Sequence, residues 1–366
     1  MKKASRWLPS ILFVIAACIP MSGAGGVSAD TIRIGAILSL TGNTAASGQN
    51  IRDGILLAVE EINRQGGVNG SKIEVAIEDS KSDPQAAVEA FKKMELTRPP
   101  LFYLSHLSSV GVALGPLTDE KKVVLVGLTT SAPAFLHGRE LAYQYWPSTQ
   151  ADIPPLLRIL KDLNVKKLGI IYSNEEFGVA EESHASKAFT DAGGTVAIQS
   201  FEMIDTDFHR KLEALKNQEA IYVAAFGASF VTIVHQLRAE KYEHPILMPP
   251  IGGPAMFVLP EMQGVYSVAP IIYDARSLFA RRAGERFTAR YQKPFNHWAA
   301  SGYDFIKLIS GLLEDHPLSR QSVKDVMEAG FEYSGVFGPV RVRPGEHVIA
   351  FPLYPAQILN STLKFR

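Results

Sequence analysis

The sequence predicts an α/β protein in which mainly parallel sheets are flanked by helices. Apolar residues alternate between strand-like and helix-like spacing, and this alternation starts near residue 32 and restarts after residue 150. A strand–helix–strand order implies parallel strands joined by right-handed crossovers. The length of 366 residues favours two domains over one. Together these observations predict two α/β units of similar size.

The first half opens with a strand and continues as alternating helices and strands. Strands are predicted at 32–38, 73–78, 101–104 and 123–126, and helices at 51–62 and from residue 84 onward. Gly66 and Gly67 end the first helix, because glycine readily takes the conformation that closes a helix. Asp83 caps the second helix, and Pro84 occupies a first-turn position that needs no N–H.

The second half restarts the same order of elements. Strands are predicted at 167–172, 195–201, 221–225, 246–248, 265–269, 336–342 and 348–358, and helices at 151–163, 181–192, 228–240 and over most of 276–313. A loop rich in proline and glycine follows the strand at 246–248. The two halves share element order without repeating each other closely in sequence.

The composition argues against several classes of function. Lys plus Arg and Asp plus Glu both total 37, whereas a nucleic-acid-binding protein normally has a basic excess. No run of about 20 apolar residues occurs, which argues against a multi-pass membrane protein. The sequence has no phosphate loop, dinucleotide fingerprint, zinc-protease motif or nucleophile elbow, and its nine histidines are scattered. We therefore expect no nucleic-acid partner, cofactor, metal or enzymatic activity.

Residues 1–29 are predicted to be an export signal. Basic residues precede an apolar stretch over residues 7–21 that is too short to span a bilayer comfortably. Small residues ending at Ala29 suit cleavage by signal peptidase. Alternatively, the lone cysteine, Cys18, ends a run that resembles a bacterial lipobox and would become the acylated first residue. Either route places the folded part of the chain outside the cytoplasm.

Hydroxyl residues follow two neighbouring strands of the first half. They are Ser108 and Ser109 after the third strand, and Thr129, Thr130 and Ser131 after the fourth. The carboxyl ends of neighbouring parallel strands meet at a crevice where ligands bind, and a helix N-terminus at such a crevice favours an anion. The pattern therefore predicts a carboxylate site. The alternative that these residues only cap helices stays open.

His106 lies beside these residues and allows a second interpretation. With Ser108 and Asp119 it would form a hydrolase triad, but the local spacing matches no catalytic template. A loop histidine that bonds to the backbone is the favoured interpretation of His106, and the hydrolase is kept as a distant alternative.

A string of motifs runs along the whole of the chain after the export signal, namely residues 32–42, Gly48, residues 58–63 and 66–70, Asp79 to Pro84, Ala87, residues 130–133 and Phe337 to Pro339. These motifs resemble those of periplasmic branched-chain amino-acid-binding proteins. The resemblance extends from Thr31 to the C-terminus and implies a type I periplasmic-binding-protein fold, with two α/β lobes and a three-segment hinge. It assigns residues 30–147 and 271–334 to lobe 1, and residues 148–270 and 335–366 to lobe 2.

The resemblance also implies a function and a binding site. Proteins of this kind are periplasmic solute-binding components of ABC importers, so a small-molecule ligand, a membrane permease and a monomeric state are expected. The same fold also serves as a ligand sensor that feeds a membrane receptor. The positions that the resemblance assigns to the ligand site are Ser47, Ser109, Thr129, Thr130, Ser131, Phe177, Phe226, Ile251 and Gly252.

Departures from the family pattern bear on the ligand. Ile251 stands where amino-acid binders of the family generally have an acidic residue for the ammonium group, and Ser47 stands where a bulky side chain is common. We therefore expect a small carboxylate with an apolar or aromatic body and no obligatory α-amino group. The alternative is a hydrophobic amino acid whose ammonium is held by main-chain carbonyls and hydroxyls, or by Glu175 or Glu176.

Overall fold

The structure, a computed structural model, describes residues 31–366. The predicted export signal, with Cys18 and the cleavage position after Ala29, lies outside the described residues. Within residues 31–366, no helix has both the length and the apolar character needed to cross a bilayer. These residues form two sheets flanked by helices, together with a separate two-stranded hairpin.

The first sheet contains five strands. They are β1 (Ile32–Leu38), β2 (Ile73–Asp79), β3 (Tyr103–His106), β4 (Leu125–Leu128) and β5 (Ala142–Tyr145). All five are parallel, in the order β2-β1-β3-β4-β5. The helices that follow the first three strands are α1 (Ala45–Arg64), α2 (Pro84–Thr97) and α3 (Ser108–Glu120). Asp83 caps α2 as predicted, because its side chain accepts a hydrogen bond from the N–H of Ala86.

The strands after residue 150 form the second sheet and the hairpin. They are β6 (Lys167–Ser173), β7 (Thr195–Phe201), β8 (Ala220–Ala224), β9 (Ile246–Met248), β10 (Tyr266–Pro270), β11 (Phe331–Gly335), β12 (Gly338–Val342), β13 (Leu353–Leu359) and β14 (Thr362–Phe365). The sheet order is β14-β13-β10-β9-β8-β6-β7. The pairs β10–β13 and β13–β14 are antiparallel, and all other neighbouring pairs are parallel. Strands β11 and β12 pair as the hairpin. The predicted α/β class with mainly parallel sheets is confirmed.

Eight further helices cover the second sheet or return to the first. They are α4 (Ile153–Asp162), α5 (Glu176–Asp191), α6 (His209–Leu215), α7 (Gly227–Ala239), α8 (Pro254–Phe257), α9 (Leu278–Tyr291), α10 (His297–Leu312) and α11 (Arg320–Glu328). Helix α10 packs along α1 on one face of the first sheet. The close approach of these two helices depends on a glycine, because a Cβ on Gly54 would lie 2.0 Å from the carbonyl oxygen of Ala299.

Each sheet builds its own hydrophobic core, and the two cores define two lobes. Lobe 1 contains β1–β5, α1–α3, α9–α11 and the β11–β12 hairpin, whereas lobe 2 contains β6–β10, α4–α8, β13 and β14. The chain passes between the lobes after β5, after β10 and before β13. Three connecting segments therefore join the lobes side by side.

Residues 335–351 pack in lobe 1, although the resemblance assigned the whole of 335–366 to lobe 2. Phe337 and Phe351 stack with their ring centroids 4.0 Å apart, and both rings contact Tyr145 of β5. The main chain at residues 347–349 also bonds to Gln144 of β5. This aromatic packing keeps the segment on the first sheet, so only β13 and β14 join the second.

Asp304 of α10 fixes the third connecting segment to lobe 1. This buried carboxylate accepts hydrogen bonds from the hydroxyl of Tyr145 at 2.9 Å and from that of Tyr333 at 2.7 Å. It also accepts bonds from the N–H groups of Val336, at 2.9 Å, and Phe337, at 3.4 Å. Burial raises the pKa of Asp304, while these donors act in the opposite direction.

Asp304→Ala is expected to lower the free energy of unfolding by about 3 kcal/mol or more, because each buried donor left without an acceptor costs about 1–3 kcal/mol. Urea denaturation measures the loss. Asp325→Ala on the exposed face of α11 is the control and should change stability by less than about 1 kcal/mol. Equal losses in the two variants would contradict the anchoring role of Asp304.

Candidate functional site

A cleft between the lobes encloses about 700 Å³ that protein atoms do not fill, part of it open to solvent. Lobe 1 and the segment that leaves it contribute Asn43, Thr44, Ala46, Ser47, His106, Leu107, Ser108, Thr129, Ser131, Trp146, His297 and Trp298. Lobe 2 contributes Phe177, Phe226, Gly227, Pro250 and Ile251. The hydroxyl groups of the lining all come from the lobe 1 side, which also contributes aromatic rings, whereas the lobe 2 side is apolar. None of these lining residues is Asp, Glu, Lys or Arg.

The hydroxyl groups of lobe 1 lie at two turns that follow β3 and β4. Ser108 is the first residue of α3, and Ser131 follows β4. The two turns are bonded together, because the N–H of Ala132 donates to Oγ of Ser108 at 3.3 Å. The first N–H groups of a helix have no partner within the helix, so the start of α3 offers amide donors beside the cleft. Hydroxyls and amides thus converge on one end of the cleft.

Both turns contain a non-glycine residue in the left-handed region. Leu107 has φ 74° and Thr129 has φ 57°. Such conformations cost about 1–3 kcal/mol each when the residue is not glycine, and they concentrate at ligand sites. Leu107 and Thr129 are both among the residues that line the cleft. We therefore take this end of the cleft as the candidate binding site.

His106 ends β3 and bonds to a side chain of α1. Its Nε2 lies 3.1 Å from Oγ of Ser47, and that hydroxyl donates to the carbonyl of Thr44 at 2.7 Å. Because Ser47 has a single proton to give, Nε2 of His106 is the donor and Nδ1 is left as a buried acceptor without a partner. Burial lowers the pKa of His106 to about 3, so the ring is neutral at pH 7.

The structure does not bring together Ser108, His106 and Asp119, the triad of the alternative hydrolase interpretation. Asp119 lies at the far end of α3, about 16 Å along the helix from Ser108, and it pairs with Arg139 at 3.0 Å. His106 bonds to Ser47 and not to the backbone, which corrects the favoured interpretation of this histidine. The three residues of the supposed triad are therefore not brought together.

Contacts between the lobes close the cleft on one side. The hydroxyl of Tyr273, in a connecting segment, donates to the carbonyl of Gly252 at 3.0 Å and accepts from the N–H of His297 at 3.2 Å. The loop of lobe 2 that carries Ile251 is thereby tied to the start of α10 in lobe 1. Helix α3 also contacts α5 across the cleft. These contacts hold the two lobes against each other on this side of the cleft.

Aromatic rings form the walls of the cleft. Phe177 and Phe226 of lobe 2 lie with their centroids 5.5 Å apart. On the opposite wall, His297 lies 5.3 Å from Trp146 and 4.4 Å from Trp298. Burial lowers the pKa of His297 to about 3, so this wall is uncharged at neutral pH. The walls suit an apolar or aromatic body.

Most residues that the sequence assigned to the site come together here. Seven line the cleft, namely Ser47, Ser108, Thr129, Ser131, Phe177, Phe226 and Ile251. Ser109, Thr130 and Gly252 lie beside it instead. Ser109 is half-buried in the first turn of α3, Thr130 is fully buried over β4, and Gly252 gives its carbonyl to Tyr273.

The sequence missed part of the site and weighed two acidic residues that do not line it. Trp146, His297 and Trp298 form a wall that no local motif signals, because they are joined only by the fold. Glu175 and Glu176, considered as partners for an ammonium group, are absent from the lining. The carboxylate of Glu175 caps α5 and accepts from Ser173 and from main-chain N–H groups.

Comparisons with known proteins place these features in context. A family model described as periplasmic binding protein matches residues 31–362. The chain is 27% identical over 281 residues to a leucine-, isoleucine-, valine-, threonine- and alanine-binding protein of Pseudomonas aeruginosa, which covers 75% of this chain and 72% of that protein. A leucine-binding protein of Thermotoga maritima has a similar fold, with a TM-score of 0.84, 20% identity, and coverage of 92% of this chain and 98% of that one. A solute-binding protein of an R. palustris ABC transporter, solved with benzoate, has a TM-score of 0.84, 18% identity, and coverage of 92% and 95%.

Thr129→Gly is expected to raise the free energy of unfolding of the empty protein by about 0.5–1 kcal/mol, because glycine adopts a positive φ without strain. Thermal or urea unfolding measures the change. Thr206→Gly, in an exposed loop where φ is not positive, is the control and should lower stability slightly. If Thr129→Gly also destabilised the protein, the strain assigned to this turn would be wrong.

Proposed function

The chain belongs to the periplasmic binding protein family, and from that premise we propose that it is the solute-binding component of an ABC importer. In this proposal it captures a small carboxylate between its lobes and delivers it to a membrane permease. Membership of the family implies an extracytoplasmic location, and we expect the periplasm, which both processing routes of the predicted export signal would reach. The relatives named above are binding proteins, which supports a role without catalysis.

One observation carries the carboxylate proposal: two strained, hydroxyl-bearing turns and the start of α3 converge on one end of the cleft. A hydrogen bond to a charged group contributes about 1.5–3 kcal/mol. Three or four such bonds would supply most of the roughly 8 kcal/mol that micromolar binding needs. Ser131 is well suited to one of them, because it lines the cleft and lies in the turn bonded to Ser108.

The lining supports an acid without an amino group. An ammonium group buried without a counter-charge would lose several kcal/mol of solvation, and no acidic residue lines the described cleft. Ile251 occupies the part of lobe 2 that faces the ligand space, and aromatic rings form the walls. The benzoate complex of the R. palustris protein supports the view that this fold accepts an aromatic acid.

A hydrophobic amino acid is the second candidate. The relative from Pseudomonas aeruginosa is named for binding leucine, isoleucine, valine, threonine and alanine. In that case the ammonium group would rely on hydroxyls and main-chain carbonyls. A sensor that reports ligand occupancy to a receptor would use the same cleft, and growth or uptake in a deletion strain separates transport from sensing.

The proposed mechanism is capture by hinge closure. The acid binds first to the hydroxyl turns of lobe 1, and Phe177, Phe226 and Ile251 of lobe 2 then close over its body. Closure removes water from the charge-assisted hydrogen bonds and so strengthens them. The closed pair of lobes presents a single surface to the permease, and we expect the protein to act as a monomer.

A thermal-shift panel tests the ligand class. Benzoate or 4-methyl-2-oxopentanoate is expected to raise Tm by about 4 °C at a hundredfold excess over Kd. Leucine and phenylalanine should give smaller shifts, and benzylamine, which has the ring without the carboxylate, should give none. Stabilisation by amino acids alone would overturn the proposed class in favour of the second candidate.

Ser131→Ala is expected to weaken binding of the acid found in that panel by roughly 10- to 100-fold, because one bond to the carboxylate is lost. Ser183→Ala, on the exposed face of α5, is the control and should leave the affinity unchanged. Calorimetric titration measures both. An unchanged affinity in Ser131→Ala would show that this hydroxyl takes no part in recognition.

A further inference from the structure

Directly behind the cleft, lobe 2 buries two carboxyl groups that no cation neutralises. Asp152 ends a short 3₁₀ turn, Thr149–Asp152, and is 2% exposed. Glu181 lies in α5 and is fully buried. Among the described residues, no Lys, Arg or His forms an ion pair with either side chain. Two like charges at this depth would each lose solvation and would repel each other.

One oxygen of each carboxyl group is buried without a hydrogen-bond partner. Oε2 of Glu181 accepts from the hydroxyl of Tyr222 at 2.7 Å. Oε1 of Glu181 and Oδ1 of Asp152 are buried and have no other donor. The 3₁₀ turn that carries Asp152 contacts α5, which carries Glu181, and a hydrogen bond between the two carboxyl groups would give both of these oxygens a partner. Because ionised carboxylates are acceptors only, one of the two must hold a proton for that bond to form.

The surroundings favour retention of this proton. Burial, and then the charge of Glu181, raise the pKa of Asp152 well above its ordinary value. Burial raises the pKa of Glu181 to about 7, against the opposing effect of its bonds to Asp152 and Tyr222. The other titratable groups that act on the pair are Glu175, whose charge repels that of Glu181, and Tyr222 of β8, whose own pKa is raised.

The pair connects both walls of the cleft. The N–H of Thr149 donates to the carbonyl of Ser131, in the hydroxyl turn of lobe 1, at 3.2 Å. The hydroxyl of Thr149 lies 2.8 Å from Nδ1 of His184, one turn beyond Glu181 on α5. Phe177, at the start of α5, lines the opposite wall. The 3₁₀ turn is thus held to lobe 1 at one end and to α5 at the other.

We propose that Asp152 and Glu181 share one proton at neutral pH, and that this bond positions α5, and with it Phe177, against the turn that carries Ser131. The two carboxyl groups are positioning residues, since neither lines the cleft. The shared proton is independent of what the cleft binds, whereas the importance of placing Phe177 rests on the proposed function. The opposite arrangement, in which a cation lies between two carboxylates, is an outcome that the experiment distinguishes.

Thermal unfolding of the ligand-free protein from pH 5 to pH 9 tests the shared proton. The folded state holds the proton to a higher pH than the unfolded chain does. The stability it contributes is therefore present below the ordinary carboxyl pKa and is lost as the pH rises through about 7. Glu181→Gln supplies a permanent amide donor to Asp152. We expect its Tm to exceed that of the wild type by about 3–6 °C at pH 8.5, and this difference should shrink towards pH 5.

Controls and a second readout keep the test decisive. Glu243→Gln, on the exposed surface of lobe 2, should follow the wild-type pH profile. Asp152→Asn should behave like Glu181→Gln and replaces it if that variant does not fold. Infrared spectroscopy of the wild type at pH 6 should show the C=O band of a protonated carboxyl group, which weakens as the pH rises to 8.5 and disappears in either variant.

The positioning role has its own measurement. After correction for the intrinsic effect of pH, hydrogen exchange at the start of α5 should be faster at pH 8.5 than at pH 6 in the wild type, but not in Glu181→Gln. Parallel Tm profiles for wild type and Glu181→Gln, or absence of the protonated carboxyl band, would overturn the shared proton. A loss of Tm on adding EDTA that Ca²⁺ restores would overturn it in favour of a cation. If the Tm profiles and the infrared band confirm the shared proton but hydrogen exchange at the start of α5 is the same at both pH values, only the positioning role is refuted.

Discussion

The cleft between the lobes offers no charged side chain to the ligand that we propose for it. Hydroxyls, helix-end amides and neutral imidazoles line it, and both His106 and His297 are kept neutral by burial. An anion in such a site is stabilised only by dipoles that already point towards it. The strained turns at Leu107 and Thr129 hold those dipoles in place before any ligand arrives. In the proposed function, these strained turns preorganise the site for an anion in the absence of a cationic side chain.

The contacts between the lobes lie in the same region. Tyr273 joins the start of α10 to the carbonyl of Gly252, so the lobe 2 loop is bonded to lobe 1 immediately beside the aromatic wall. The third connecting segment is anchored separately by Asp304, far from the two hydroxyl turns in sequence. Rigid anchoring of the connecting segments and polar contacts across the cleft together allow the lobes to move as units.

Much of the fold was predictable because it is encoded locally. Asp83 and Pro84 mark the start of α2 by their chemistry, and apolar alternation marks β1 and β2. Helix α1 begins at Ala45 and not at residue 51, because its first turns are small and polar and carry no apolar period. Strand β5 escaped prediction since its four residues gain their burial only from the packed sheet. The predicted lobe boundary at residue 335 was wrong. Stacking of Phe337 on Phe351 keeps residues 335–351 against the first sheet, although the resemblance assigned them to lobe 2.

The hydroxyl residues of the candidate site could be predicted from sequence, because local patterns of apolar residues and helix caps indicate where strands end and helices begin. The wall built by His297 and Trp298 could not, because only the tertiary fold brings α10 to the ends of β3 and β4.

The most direct test of the account is mass spectrometry of any small molecule released when the freshly purified protein is denatured. The account predicts a small apolar or aromatic acid without an amine. A sugar, a polyamine or another solute without a carboxylate would contradict it.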